Sequence, residues 1–234
     1  MNCEKIKEIQ VSLSQQYGSN LLMILNGQCL NQMFNEYHLK MYGTYIAFNE
    51  AMCMGDVDAI IFSNEFIKKR CEIHQVTREM YEEITLKPIQ LISSNTYDTI
   101  VLWFDDDMFC QINLLTILAY LEQLEVKQPI KVVLFNQGVT TFHMMDVPLG
   151  QYNLVYQSVL TRKENVQCLD FKLLNEAIKR YLSLQTDHNE IIEYIKNHLH
   201  LEEDELISKL LVEFSCYGLG DSQYISLIKR VREQ

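Results

Sequence analysis

One stretch constrains the fold more than any other, residues 99–124, because it reads as a buried strand, an acidic turn and a buried helix in unbroken succession. Ile100, Val101, Leu102, Trp103 and Phe104 form an apolar run of strand-forming residues, the pattern of a strand covered on both faces. Asp105, Asp106 and Asp107 stop it. From Met108 the apolar residues recur at helical spacing through Phe109, Ile112, Leu115, Leu118 and Leu121, while Leu114 and Ile117 add a second face. Such a helix must pack on the sheet and on something else.

Three further apolar runs have the same form, each ending in polar residues. Leu21 to Leu25 runs into Asn26, Gly27 and Gln28; Thr44 to Phe48 into Asn49 and Glu50; Ile130 to Phe135 into Asn136 and Gln137. Helical patterns lie between them: roughly Leu30 to Tyr37, two helices within 56–86 that break near 70–74, and the central helix. Residues 1–19 read as a short helix or a loose arm. Strands separated by helices imply right-handed crossovers and an α/β fold, with a mostly parallel sheet of four or five strands. Val147 to Gly150 reads as a turn, and Tyr152 to Tyr156 as a short strand or the start of a helix. Beyond these come helices over 170–184, 187–199, 203–216 and 221–232, with Asp187, Asp204 and Asp221 at their starts. This divides the chain into an α/β domain, 1–150, and a smaller all-helical domain, 151–234.

Ligands of parallel sheets bind beyond the carboxyl ends of the strands, at the point where strand order reverses. All four strands deliver polar groups to that edge. Asp105, Asp107 and Glu50 are therefore the candidate catalytic groups, and Asn26, Gly27, Gln28, Glu50, Asp107 and Gln111 the candidate ligand-binding set. One Asp at a helix start caps free N–H groups. Three in one tight turn repel one another, so at least one is a candidate for binding a ligand. Carboxylates there reject a bare phosphate and suit a hydroxyl, an amine, or a phosphate bridged by Mg²⁺ through Asp105 and Asp107. Gln111, four residues after Asp107, is either satisfied by backbone or part of the site. His38 and His143 lack metal-ligand spacing, and Gly218-Leu219-Gly220-Asp221 reads as a helix–helix turn. Nucleophile elbows, P-loops and dinucleotide fingerprints are absent.

The formal charge of −11 makes this an acidic protein and opposes a nucleic-acid partner, whose phosphates need neutralising by Lys and Arg. The 7 cysteines are scattered, odd in number and without a C-x-x-C pair, which suits reduced thiols. No basic-then-apolar leader opens the chain, and no apolar run reaches the roughly 18 residues of a membrane span. The expected location is the cytoplasm, with no membrane contact.

Leu25-Asn26-Gly27-Gln28, Phe48-Asn49-Glu50-Ala51-Met52-Cys53-Met54-Gly55 and the segment from Leu102 to Leu115 resemble motifs of the bacterial domain-of-unknown-function 1835 family, over residues 20–140. The helical remainder resembles, more weakly, its companion domain of unknown function, numbered 3658. The family pattern commonly reads Asn-Gly-Asp in the first motif, ends the second in Gly-Pro, and in the third often has His before its Asp and Asp before its Gln. This chain has Gln28, Asp56, Asp106 and Cys110 at those positions. If the missing acids at 28 and 110 serve chemistry in the family, the departure implies binding without turnover. The function expected is a small-molecule binding or enzymatic domain, nucleotide-type among the options, using acids at the strand ends. The alternative is a regulatory module whose helical tail contacts a partner protein or, less favourably, DNA.

Overall fold

The computed structural model describes residues 2–94, 96–136, 140–166 and 170–233. After α1 (Cys3–Tyr17) come β1 (Leu21–Asn26), α2 (Gly27–Glu36), β2 (Thr44–Phe48) and α3 (Asn64–His74). A broken helical segment follows: α4 (Arg78–Tyr81), a π turn (Glu82–Leu86), α5 (Lys87–Gln90) and a 3₁₀ turn (Leu91–Ser94). Next are β3 (Thr99–Asp105), α6 (Met108–Gln123), β4 (Ile130–Phe135) and β5 (Phe142–Asp146). The chain then turns helical, with α7 (Tyr152–Tyr156) running into a π turn (Gln157–Thr161), α8 (Lys172–Leu184), α9 (Glu190–Asn197) and α10 (Glu203–Glu213). A 3₁₀ turn (Ser215–Tyr217) and α11 (Asp221–Arg232) complete it.

The sheet has the order β2-β1-β3-β4-β5. The first four strands are parallel, and β5 pairs antiparallel with β4 at the edge. The four apolar runs therefore form the parallel part as expected, and β5, whose residues are largely exposed, adds a fifth strand that no apolar run announces.

Alternation along β1 and β3 splits the core in two, because successive side chains of a strand point to opposite faces. Leu21, Met23, Leu25, Val101 and Trp103 pack with Leu30 and Phe34 of α2 and Ile6 and Leu13 of α1. Leu22, Ile24, Leu102 and Phe104 pack on the opposite side with α6 and the segment from Phe66 to Ile92. The β1–β2 crossover thus lies on one face and the next two crossovers on the other. Strand order reverses between β1 and β3, so the switch point falls between Asn26 and Asp105.

Helix α6 is apolar all round because it is enclosed all round. The sheet lies on one side, and α7, α8 and the later helices lie on the other, where Leu174, Tyr181, Ile191, Leu210 and Tyr224 belong to the same continuous core. The helices after residue 151 therefore share the core of the α/β part. Tyr152 to Tyr156 is helical: Glu122, near the end of α6, accepts from the backbone N–H groups of Gln151, Tyr152 and Asn153 at 2.7–2.9 Å and so caps that helix.

Two expectations at helix starts are corrected. Residues 56–63 are irregular, and the helix expected from Asp56 begins at Asn64, where the Ser63 hydroxyl accepts from Phe66 N–H at 3.1 Å. Helix α9 starts from Asn189, whose side chain accepts from Ile192 N–H at 3.0 Å, where Asp187 was expected. Among the described residues no helix is long and apolar enough to cross a membrane.

Candidate functional site

The strand-end residues expected to form one solvent-reached site are divided by the fold among a sealed network, a crevice, a groove and a second cavity.

Glu50 lies in the sealed network. Its side chain is fully buried, with Oε2 receiving Arg70 Nε at 2.9 Å and Nη2 at 2.8 Å. His74 Nε2 lies 3.0 Å from the same oxygen, and the Tyr81 hydroxyl donates to Oε1. Arg70 is also fully buried, and its remaining donors reach the Met54 carbonyl at 2.7 Å and the Ala51 carbonyl at 2.9 Å. Burial alone pushes the Glu50 carboxyl up. The His74 hydrogen bond, the Arg70 charge and the Tyr81 hydroxyl outweigh it and hold the group below the usual carboxylate range. The expectation that Glu50 faces a ligand pocket is thus corrected, since a buried carboxylate needs a partner and helix α3 supplies one.

Asn113 ties this network to the switch point. Its amide donates to the Glu50 carbonyl at 2.7 Å and to Asn26 Oδ1 at 3.0 Å, while its oxygen accepts from Met52 N–H at 3.0 Å. One buried side chain thereby joins the turns after β1 and β2 to helix α6. Gly27 makes the turn into α2 at φ 83°, a left-handed conformation that favours glycine. Gln28 leaves the switch point: with Asn49, Tyr45 and Ile84 it lines a groove along the outer edge of β2.

The crevice itself lies between the ends of β1, β3 and β4. It has a volume of about 250 Å³ and is lined by Asn26, Cys29, Leu30, Met33, Asp105, Cys110 and Phe135. Asp105 is its acid. Burial, the charge of Asp107 and a side-chain contact with Asp106 push the Asp105 carboxyl up to about 8, against the Asp106 N–H that Oδ1 accepts at 2.7 Å. At neutral pH this carboxyl is largely protonated and can donate a hydrogen bond.

Asp107 caps α6, accepting from Cys110 N–H at 2.8 Å and from the Cys110 thiol at 3.3 Å. Burial raises its proton affinity despite those donors. Burial and the two acids push the Cys110 thiol well up as well, so it stays protonated. Gln111 is fully buried and does not project with Asp107. Its amide donates to the Asp105 carbonyl at 2.7 Å, fixing the strand end, and its Oε1 has no partner among the described residues.

The residues present do not fit the Mg²⁺ expected through Asp105 and Asp107. That ion takes six oxygen ligands in near-octahedral array, whereas the Asp107 oxygens already serve Cys110. Among the described residues no three His, Cys, Asp or Glu side chains are placed to hold a metal. Gln137, expected at the end of β4, lies outside the described residues; the six described cysteines are free thiols.

Five contributors were not singled out in the sequence: Arg70, His74, Tyr81, Asn113 and Cys29. Arg70 had a signal: it falls one turn after Phe66 and Ile67 on the buried face of a helix, where an arginine demands a buried acid. Asn113 had one too, as a polar residue inside an apolar helix. His74, Tyr81 and Cys29 had none.

No family model, curated protein or solved structure matches this chain.

Proposed function

We propose that the chain binds a small, non-phosphorylated organic molecule in the crevice between Asn26 and Asp105, and that Asp105 exchanges a proton with it. The observation that carries this reading is Asp105's place: a carboxyl at the switch point of a parallel sheet, in a largely apolar crevice, where burial and the neighbouring Asp107 push its proton affinity up to about 8. A group poised near neutrality can act as acid or as base. The crevice volume of about 250 Å³ suits a small molecule or one part of a larger one, and Asp106 and Asp107 in the adjoining turn disfavour phosphate. The resemblance to the 1835 family supports a site at these strand ends without supplying a reaction.

Carbon-detected NMR titration of the Asp105 carboxyl, free and in the presence of a library of small neutral and cationic fragments, tests it. A midpoint near 8 is expected, together with fragments whose shifts centre on Asn26, Cys29 and Asp105 and whose binding changes with Asp105→Asn. An ordinary carboxylate titration, with no fragment perturbing these residues, would overturn the reading.

A further inference from the structure

A second cavity, of about 350 Å³, lies on the other side of the acidic turn, where the C-terminal helices meet the strand ends. Asp106, Asp107 and Asn136 line it from the sheet, and Leu173, Arg180 and Cys216 from the helices. Its walls carry opposite charge. Arg70, Arg78, Arg162 and Arg232 each hold a carboxylate within ion-pair distance. Lys179, next to Arg180, holds Glu176 at 2.8 Å. Arg180 is half-buried, feels the Glu176 carboxylate only through its charge, and has no ion-pair partner among the described residues. Asp106 is exposed on the facing wall.

The geometry points to a binding site for a small zwitterion of the α-amino acid class, with its carboxylate on Arg180 and its ammonium on Asp106. A simple anion placed on Arg180 would face Asp106 and Asp107. A simple cation placed on Asp106 would face Arg180. A molecule carrying both charges on one carbon satisfies both walls, and a guanidinium can take a carboxylate through two parallel hydrogen bonds. The volume is at the low end for ligand sites, about 300–1,000 Å³, which limits the occupant to a small molecule. Asn136, at the end of β4, already accepts from the Thr140 and Thr141 N–H groups at 3.0 and 2.7 Å, which leaves one N–H of its amide to donate to the carboxylate.

The test is titration of the full chain with the standard α-amino acids at millimolar concentration, followed by ¹H–¹⁵N NMR. Each binder is compared with its C-terminal amide, which keeps the ammonium, and its N-acetyl derivative, which keeps the carboxylate. At least one amino acid should bind, with shifts centred on Asn136 and Cys216, and both blocked derivatives should bind at least about tenfold more weakly. Arg180→Gln should weaken binding to the same degree, while the exposed Arg230→Gln should not. Absence of binding by every amino acid, a blocked derivative that binds as well as its parent, or full affinity in Arg180→Gln would each overturn the inference. The comparison of derivatives uses the unaltered protein, so it does not depend on how the variants fold. Shifts at Asn136 and Cys216 also separate this site from the crevice at Asn26 and Cys29, so either proposal can fail alone.

Discussion

Glu50 and Asp105 both stand where a parallel strand gives out, yet they end in opposite electrostatic states. After β2 the chain returns through α3 and lays Arg70 and His74 over Glu50, and the carboxylate is held ionised in a dry place. After β3 it turns at once into α6 and sets Asp106 and Asp107 beside Asp105, which is held protonated. Position at the edge of the sheet does not by itself make a site. What the following crossover brings back decides whether an acid there becomes scaffold or stays chemically open.

The largest effect should come from breaking the sealed region. Arg70→Met leaves the buried Glu50 carboxylate unpaired and should cost about 3–5 kcal/mol. That corresponds to a Tm lower by roughly 6–20 °C for a chain of this size. Adding Glu50→Leu should restore most of it, because an apolar pair of similar bulk replaces the ions. Calorimetry of the two variants decides: a single substitution costing under about 1 kcal/mol would mean that Glu50 is not held as a buried ion pair.

Next in size is the point where the C-terminal helices touch the acidic turn. Gly218 sits at φ 66°, and a Cβ built there would lie 2.2 Å from Asp107 Oδ1. Gly218→Ala should therefore cost about 1–3 kcal/mol in urea unfolding. In an Asp107→Ala background the collision is gone and only the backbone strain remains, so the two changes should be clearly non-additive. Additive costs would place Gly218 away from the turn.

The pH dependence sharpens the contrast, because the two acids should pull in opposite directions. A carboxyl whose folded pKa is raised binds protons more tightly in the native state, so its contribution to stability falls as pH rises from about 4 to about 8. Asp105→Asn should flatten that part of the curve. The expected difference is on the order of 1 kcal/mol, well short of full burial, since the carboxyl is partly exposed and solvent screens it. Glu50 is lowered in the native state, so its contribution is present above the ordinary carboxylate pKa and is lost as pH falls through the folded value. Urea midpoints of Asp105→Asn and Glu50→Gln against the parent chain, measured from acid to mildly alkaline pH, should diverge with opposite slopes. Parallel slopes would erase the distinction.

The smallest effect is expected for Asp107→Asn. Asn caps a helix about as well as Asp, so stability should change by about 0.5 kcal/mol or less. A loss of several degrees in Tm would show that the Asp107 charge itself holds the turn.

The parallel sheet was legible because each of its four parallel strands is an apolar run closed by polar residues, and such runs have few other structures open to them. β5 was not legible: its edge position leaves residues of both faces exposed, and Phe142 to Asp146 carry no unbroken apolar run. Asp107 as a helix cap could be read directly from its place before Met108. The partition of the site could not, because it depends on where a helix begun at Asn64 lays Arg70, and on a glycine far down the chain that reaches Asp107. Gln111 illustrates the limit. Spacing placed it beside Asp107, but the backbone carbonyl of Asp105 offered its amide a nearer partner.

Gly218 has a consequence for the order in which the protein is made. The strands and α6 leave the ribosome well before the segment that covers Asp107, and chains begin to fold from the N-terminal side during synthesis. Until α8 and the 3₁₀ turn arrive, the Asp107 side of the acidic turn faces water and the cavity at Arg180 has only one wall. A chain stopped before α8 would carry Asp106 with no Arg180 opposite it, and α6 without the helices that complete its core.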